Sequence, residues 1–171
     1  IQALRRASFS NEAGLGSAAI AHAAARTKEP VREGVVGMIG PFIDTHVICT
    51  MTALAILITG AHADPELLGK GAAITAKAFG SISDIFPLLL TLATVVFAYS
   101  TLISWSYYGE KGWEYLFGYG SIMVYRGLFV AVIFIGPFLT VTTMFDFVDY
   151  VVFCMAFPNI AGMIIMSSDV K

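Results

Sequence analysis

The stretch that decides the fold is IFPLLLTLATVVFAYSTLISWSYYG, residues 85–109, in which 25 consecutive residues carry no charged side chain. An α-helix rises about 1.5 Å per residue, so about 20 apolar residues cross the roughly 30 Å hydrocarbon core of a bilayer. Three more stretches, 45–63, 127–145 and 150–168, each contain 19 residues without Asp, Glu, Lys or Arg. Four such stretches predict an all-α polytopic membrane protein.

The composition agrees with that prediction. Hydrophobic residues make up 57% of the 171 residues and charged residues only 13%, about half the usual share of about 25%, and the mean hydropathy is +0.79. A net charge of −2 provides no basic face for nucleic acid. Cys49 and Cys154 lie inside apolar stretches and form no thiol motif. A soluble enzyme, a disordered tail and a nucleic-acid binder are therefore excluded.

The distribution of charges, glycines and prolines divides the chain into seven segments. The chain opens with Ile1 rather than Met, and we expect it to be a segment of a longer protein. Residues 1–33 are polar or small, with a helix expected over Ala13–Ala25. The predicted transmembrane helices are 34–60, 85–108, 127–145 and 147–168, separated by a loop at 61–84 and a connector at 109–126.

Proline marks the expected irregularities in these segments. Pro41 should kink the first span because proline lacks the amide hydrogen. In the 61–84 loop, Asp64 and Pro65 resemble an N-cap and first helical residue, which predicts a short amphipathic helix over 67–79. Pro158-Asn159 should break the fourth span, either as an ordinary kink or as a place where freed carbonyls bind a ligand.

Basic residues predict the orientation in the membrane. Five precede the first span, two follow it (Lys70 and Lys77), two follow the second (Lys111 and Arg126), and none follows the third, where Asp146 and Asp149 lie. Because short cytoplasmic segments carry the excess of Lys and Arg, residues 1–33 and 109–126 are expected on the cytoplasmic side and 61–84 on the outer side.

The second span carries hydroxyl groups on one face. At 100° per residue an arc of about 140° contains Phe97, Ser100, Thr101, Ser104, Trp105 and Tyr108. Lipid offers these hydroxyls no hydrogen bond, so two interpretations remain. The hydroxyls bond to backbone or neighbouring helices, or they bind a hard cation beside a small solute covered by Trp105.

Two other kinds of titratable residue are notable. Asp44 lies within the first span, where a carboxylate is either a functional group or the partner of a base from the N-terminal segment. His22, His46 and His62 have no metal-ligand spacing. Because no nucleophile–base arrangement is visible either, the sequence predicts a protein that is not an enzyme.

Several strings resemble the sodium:alanine (alanine or glycine:cation) symporter family. They are Phe9-Ser10-Asn11-Glu12-Ala13-Gly14-Leu15-Gly16-Ser17 followed by His22-Ala23-Ala24-Ala25, Phe42-Ile43-Asp44-Thr45 with Cys49-Thr50, Thr101–Glu110, and Pro158-Asn159. The resemblance covers nearly the whole chain. It implies the inverted-repeat, leucine-transporter-like fold, with this chain as its second half from the cytoplasmic end of the sixth helix. The 61–84 loop then matches the extracellular lid.

The resemblance also implies a function and a set of site residues. It implies sodium-coupled symport of alanine or glycine across the plasma membrane, with a proton as the alternative coupling ion and no other cofactor. Thr101 and Trp105 match substrate-facing positions, while the Ser100 and Thr101 hydroxyls and the Phe97 carbonyl match sodium ligands. Asn11, Glu12 and Asp44 are candidates for a gate or a structural role.

The expected partners follow from that function. They are a small neutral amino acid, the lipid bilayer and the missing N-terminal helices of the parent chain, without nucleic acid. The competing hypothesis is a non-transporting membrane bundle or a channel-like subunit.

Overall fold

The computed structural model describes residues 11, 12, 14–67 and 69–169, and every regular element in these residues is a helix. The predictions that involve Arg5, Arg6, Phe9, Ser10 and Ala13 lie outside the described residues. Four helical segments are long and apolar enough to cross a membrane: Pro30–Ile58, Phe86–Phe117, Tyr119–Phe138 and Thr142–Met166. The prediction of an all-α chain with four spans is confirmed.

The chain divides into two compact units. One comprises residues 42–103, and the other combines the residues up to Pro41 with those from Ser104 onward. The second unit contains α1 (Ser17–His22) and α2 (Pro30–Pro41). The first unit contains α3 (Thr50–Ile58) and α4 (Gly71–Gly80). Helix α5 (Phe86–Phe117) contributes residues to both units. Helices α6 (Ile122–Ile135) and α7 (Val141–Met166) belong to the same unit as α1 and α2.

The first span changes its helix type at the proline. Helix α2 ends at Pro41, and residues Phe42–Cys49 form a π-helix before α3 begins. Proline has no amide hydrogen, and its ring collides with the carbonyl four residues earlier. A wider π turn is one way to accommodate the lost hydrogen bond without ending the helix. The irregularity predicted at Pro41 takes the form of a π segment that begins at the next residue.

The loop after the first span is ordered around Asp64. Its Oδ1 accepts a hydrogen bond from the Glu66 amide at 3.0 Å, and its Oδ2 forms an ion pair with Lys77. The hydrogen bonds from Lys77 and from the Glu66 amide hold the pKa of this carboxyl below its usual value. The helix predicted over 67–79 begins only at Gly71, because Pro65–Leu67 forms a 3₁₀ turn and Gly69 has a φ of +81°.

Helix α5 extends nine residues beyond its predicted end at 108. The connector predicted at 109–126 is α-helical as far as Phe117, where Gly118, with a φ of +78°, stops the helix. The charges that suggested a connector are instead satisfied on the helices. Lys111 Nζ lies 2.8 Å from Glu114 Oε2, one turn along α5. The first half of the predicted connector is therefore a continuation of the helix.

The third and fourth membrane-spanning helices both begin and end earlier in the chain than the predicted spans, which were 127–145 and 147–168. Helix α6 ends at Ile135, Gly136–Phe138 forms a 3₁₀ turn, and Thr140 Oγ1 caps α7 by accepting from the Thr143 amide. Asp146, which was predicted to lie between two spans, consequently lies inside α7 together with Asp149. Pro158 lies within the same uninterrupted helix, so the predicted break there is wrong. Helices tolerate an internal proline when the turns on either side remain intact.

Candidate functional site

The predicted ion and substrate positions all lie on α5. Phe97, Ser100 and Thr101 are exposed in the unit formed by residues 42–103. Trp105, in the other unit, is half-buried and contacts Tyr108 edge to face, with ring centroids 5.9 Å apart. Apolar side chains on the opposite face are exposed too, including Leu102 at 39%. Exposure alone therefore does not distinguish the hydroxyl face from its opposite.

The hydroxyl groups of α5 differ in their hydrogen bonds. Thr91 Oγ1 donates to the Pro87 carbonyl and Thr94 Oγ1 to the Leu90 carbonyl, each at 2.8 Å. The hydroxyl groups of these two threonines therefore have hydrogen-bond acceptors within their own helix, as the structural interpretation of the hydroxyl face requires. Within the described part of the chain the Thr101 hydroxyl makes no such bond. In this respect Thr101 differs from Thr91 and Thr94, and also from Ser100 and Ser104, which have interaction partners.

The described residues of the string at 11–17, which are Asn11, Glu12 and Gly14–Ser17, form a tight turn that leads into α1. Three of its residues have positive φ: Glu12 (+52°), Gly14 (+82°) and Gly16 (+106°). Glycine adopts this conformation without the penalty that a Cβ brings. The Glu12 carboxylate accepts a hydrogen bond of 2.6 Å from Ser17 Oγ, and the Ser17 residue is only 2% exposed. The turn is therefore closed on itself by a buried charge-assisted hydrogen bond.

A residue of helix α7, which is distant in sequence, forms a hydrogen bond with this turn. Asn159 Nδ2 donates to the Gly14 carbonyl at 2.9 Å. A Cβ added to Gly16 would lie 3.4 Å from Asn159 Cβ, which is ordinary van der Waals contact. The amide side chain thus packs against the turn while it satisfies a turn carbonyl. The two strings that contain Gly14 and Asn159 meet in space, which nothing in the sequence had indicated.

A second polar contact joins α1 to α2. His22 Nδ1 lies 2.6 Å from Glu33 Oε1, and the side chains are 39% and 23% exposed. Gly37 lies beside the imidazole, since a Cβ there would be 3.1 Å from His22 Nε2. These residues line an open, mainly apolar pocket of about 510 Å³ together with alanines of α1.

The other histidines make separate contacts. His46 stacks on Phe42 with ring centroids 5.1 Å apart, and His62 Nδ1 lies 3.5 Å from the Ile56 carbonyl. Across residues 11, 12, 14–67 and 69–169, no group of three or more His, Cys, Asp or Glu side chains is placed to hold a metal ion. Asp44, in the π segment, is half-buried and has an interaction partner.

The α5–α6 connection is held by an ion pair and a phenol. Arg126 binds Glu110 bidentately, with Nε to Oε2 at 2.7 Å and Nη2 to Oε1 at 2.9 Å. Tyr125 Oη donates to the Ser106 carbonyl at 3.2 Å, directly beside Gly109. The sequence indicated only an aromatic and charged mixture for this region. Pairing of Glu110 with Arg126 was missed because their 16-residue separation follows no helical spacing.

Comparison with known proteins gives one consistent result. The family description "Sodium:alanine symporter family" matches residues 1–171. The chain is 45% identical over 165 residues to the "Sodium/alanine symporter AgcS" of Methanococcus maripaludis, covering 96% of this chain and 36% of that protein. It is 42% identical over 159 residues to an uncharacterized transporter of Haemophilus influenzae, covering 93% and 35%.

A third relative is named for a different substrate. The "Probable sodium/glutamine symporter GlnT" of Bacillus subtilis is 35% identical over 169 residues, covering 98% of this chain and 35% of that protein. The chain spans about a third of the length of the curated relatives it matches. Its four membrane-length helices and its transporter relatives make it a multi-pass protein of the plasma membrane. With the family match extending over its full length, this chain belongs to the sodium:alanine symporter family.

Proposed function

We propose that this chain is part of a secondary active transporter that imports a small neutral amino acid, alanine or glycine, together with sodium. The observation that carries the proposal is the family match over residues 1–171, together with 45% identity to a protein named a sodium/alanine symporter. The relative named a glutamine symporter indicates that amino acid symport is the shared activity, while the side chain accepted differs between members. A non-transporting bundle is not favoured, because these relatives are transporters.

We assign the ion and substrate contacts to α5. The exposed Thr101 hydroxyl, with Ser100 and the Phe97 carbonyl, supplies the oxygen ligands that a hard cation prefers. Trp105 limits the size of the amino acid side chain. Coupling then needs no covalent chemistry, because an ion and a substrate that favour the same conformation raise each other's affinity. The remaining ligands come from other helices of the carrier, which we propose has the inverted-repeat fold.

The orientation and the gate are part of the same proposal. The N-terminal segment lies on the cytoplasmic side, and the ordered 61–84 loop lies outside as a lid. The turn containing Asn11 and Glu12 is the cytoplasmic gate. Its closed state is the one in which Glu12 holds Ser17 and Asn159 holds the Gly14 carbonyl. Asp44 has a structural role in the π segment, where it already has a partner.

The decisive experiment measures radiolabelled alanine uptake by the full-length carrier, with and without a sodium gradient. An alanine uptake rate that changes with neither the sodium gradient nor the proton gradient would contradict the proposal. Thr101→Val keeps the side-chain shape and removes the oxygen, so the sodium affinity should fall roughly 5- to 150-fold, with the apparent alanine affinity falling through linkage.

The matched control is Leu102→Ala, which alters the opposite face of α5 and should leave the sodium dependence nearly unchanged. Trp105→Ala should weaken alanine uptake while bulkier amino acids are accepted better. Equal damage to the sodium titration from Leu102→Ala and Thr101→Val, at matched surface expression, would show that the ion-binding face is misassigned.

A further inference from the structure

One face of α7 is packed, and it includes a carboxylate. The buried and half-buried side chains recur at helical spacing and are Val148, Asp149, Val152, Met155, Ala156, Asn159 and Gly162. Asp149 is 8% exposed, nearly as buried as Val152 at 4%. It lies within the membrane-spanning segment Thr142–Met166. A charged side chain within a membrane-spanning helix is costly, so it calls for a partner or a function.

The Asp149 carboxylate has one oxygen that no described residue satisfies. In the described part of the chain, its Oδ1 is buried and has no hydrogen-bond partner. Leaving a buried polar atom unpaired costs about 1–3 kcal/mol, and more when the group is charged. Most buried polar groups in proteins are paired, so this oxygen indicates a partner that is not one of the described side chains.

A small cavity adjoins this carboxylate. Its volume is about 60 Å³, and its lining residues Asp146, Asp149, Tyr150 and Phe153 follow the i, i+3, i+4, i+7 spacing of one helix face. A water molecule needs at least about 10–15 Å³ of such space, so the cavity has room for a small ion with one or more waters. The lining contains two acidic side chains and a phenol but no basic group.

We propose that Asp149, assisted by Asp146 and Tyr150, binds a sodium ion on α7, as a second cation site besides the one assigned to the Thr101 face of α5. Carboxylate and phenol oxygens are hard ligands and suit an alkali cation. A positive ion also relieves the repulsion between two carboxylates one turn apart on a helix. The inference rests on the proposed function in that it adds a second ion to a sodium-coupled carrier.

The test is direct binding of radioactive sodium to the purified full-length carrier at constant ionic strength, with choline replacing sodium and no amino acid present. Wild-type carrier should bind about two ions, and Asp149→Asn and Thr101→Val should each bind about one. Asp149→Asn should raise the dissociation constant of the lost site about 10-fold or more. Asp84→Asn removes an identical charge from an exposed loop position and is the matched control.

Thermal unfolding in sodium and in choline identifies the competing occupants. If the sodium binding and the unfolding temperature of Asp149→Asn both equal those of Asp84→Asn, the proposal is wrong, because the carboxyl then carries no charge that an ion could neutralise. If Asp149→Asn lowers the unfolding temperature equally in both salts while sodium binding is unchanged, its partner is a fixed cationic side chain, which also overturns the proposal.

A second variant keeps the proposal testable if Asp149→Asn does not fold. Asp146 is exposed, so Asp146→Asn should fold and weaken the same site about 2- to 5-fold, less than a buried ligand would. An unchanged sodium titration in Asp146→Asn would then contradict the proposal. The sodium-binding assay contains no amino acid, so its result does not depend on transport. A separate failure of sodium-dependent alanine uptake would refute the proposed function and leave the sodium-binding result unchanged.

Discussion

The contact between Asn159 and the Gly14 turn provides a quantitative test of the gate. Asn159→Leu replaces the amide with an apolar side chain of similar size and so removes the donor to the Gly14 carbonyl, which accepts at 2.9 Å. A part-buried carbonyl left without its partner costs about 1–3 kcal/mol. If the hydrogen bond exists only while the turn is docked, that cost shifts the docking equilibrium by about 5- to 150-fold toward the undocked state.

Accessibility of Leu15 measures this equilibrium. Leu15 is 6% exposed in the docked turn, so a cysteine there reacts with a maleimide only when the turn opens. The exposed native Cys49 and Cys154 are first replaced by alanine. When opening and closing are fast compared with labelling, the rate is proportional to the open population. Asn159→Leu should therefore raise the labelling rate of Leu15→Cys about 5- to 150-fold.

Two further variants decide whether the hydrogen bond is responsible. Asn159→Asp keeps the shape but places an acceptor against the Gly14 carbonyl, so its labelling rate should rise at least as much as that of Asn159→Leu. Phe157→Leu alters an exposed position of the same helix, 76% exposed, and should leave the rate unchanged. A rate for Asn159→Leu within twofold of the Phe157→Leu rate would refute the docking argument.

Three other predictions follow from the structure. Because Lys77 lowers the pKa of Asp64, their ion pair contributes stability above the usual carboxyl pKa of 3.8, and this contribution is lost as the pH falls through the lowered value. Proteolysis of the 61–84 loop should accelerate on acidification, and Lys77→Met should weaken that dependence, leaving the part that comes from the Glu66 amide. Gly109→Ala places a methyl group against the Tyr125 phenol and should lower the free energy of unfolding by roughly 1–3 kcal/mol, with Tyr125→Phe restoring part of the loss in a thermal melt. Residues 1–171 alone, reconstituted in liposomes, should show no sodium-driven alanine uptake, and detection of such uptake would contradict our assignment of the remaining ligands to other helices.

The sequence by itself determined the number of spans and the class of protein. The 25-residue uncharged stretch at 85–109 and the three similar stretches leave no other fold, because a bilayer accepts only segments that satisfy their own backbone. The family strings also placed Thr101 and Trp105 on one helix, since local helical spacing follows directly from residue number. The structure confirms four spans, while the roles of Thr101 and Trp105 remain proposals.

The helix ends could not be read from the charges. Glu110, which was predicted to lie in a connector, lies within α5, and Asp146, which was predicted to lie between the third and fourth spans, lies within α7. Glu110 is satisfied by Arg126 on the next helix, so the helix continues through a position that looked like a connector. The observed ends follow backbone signals instead: the positive φ of Gly118 and the Thr140 cap.

Only the tertiary structure decided which distant groups meet. Asn159 and Gly14 are 145 residues apart, and no local pattern connects an amide in a membrane helix with the carbonyl of an N-terminal turn. The burial of Asp149 likewise became visible only when the packed face of α7 was known. Sequence periodicity specifies which side chains share a helix face, but the partner of that face is chosen by packing between helices, where a part-buried polar group requires a specific donor or acceptor.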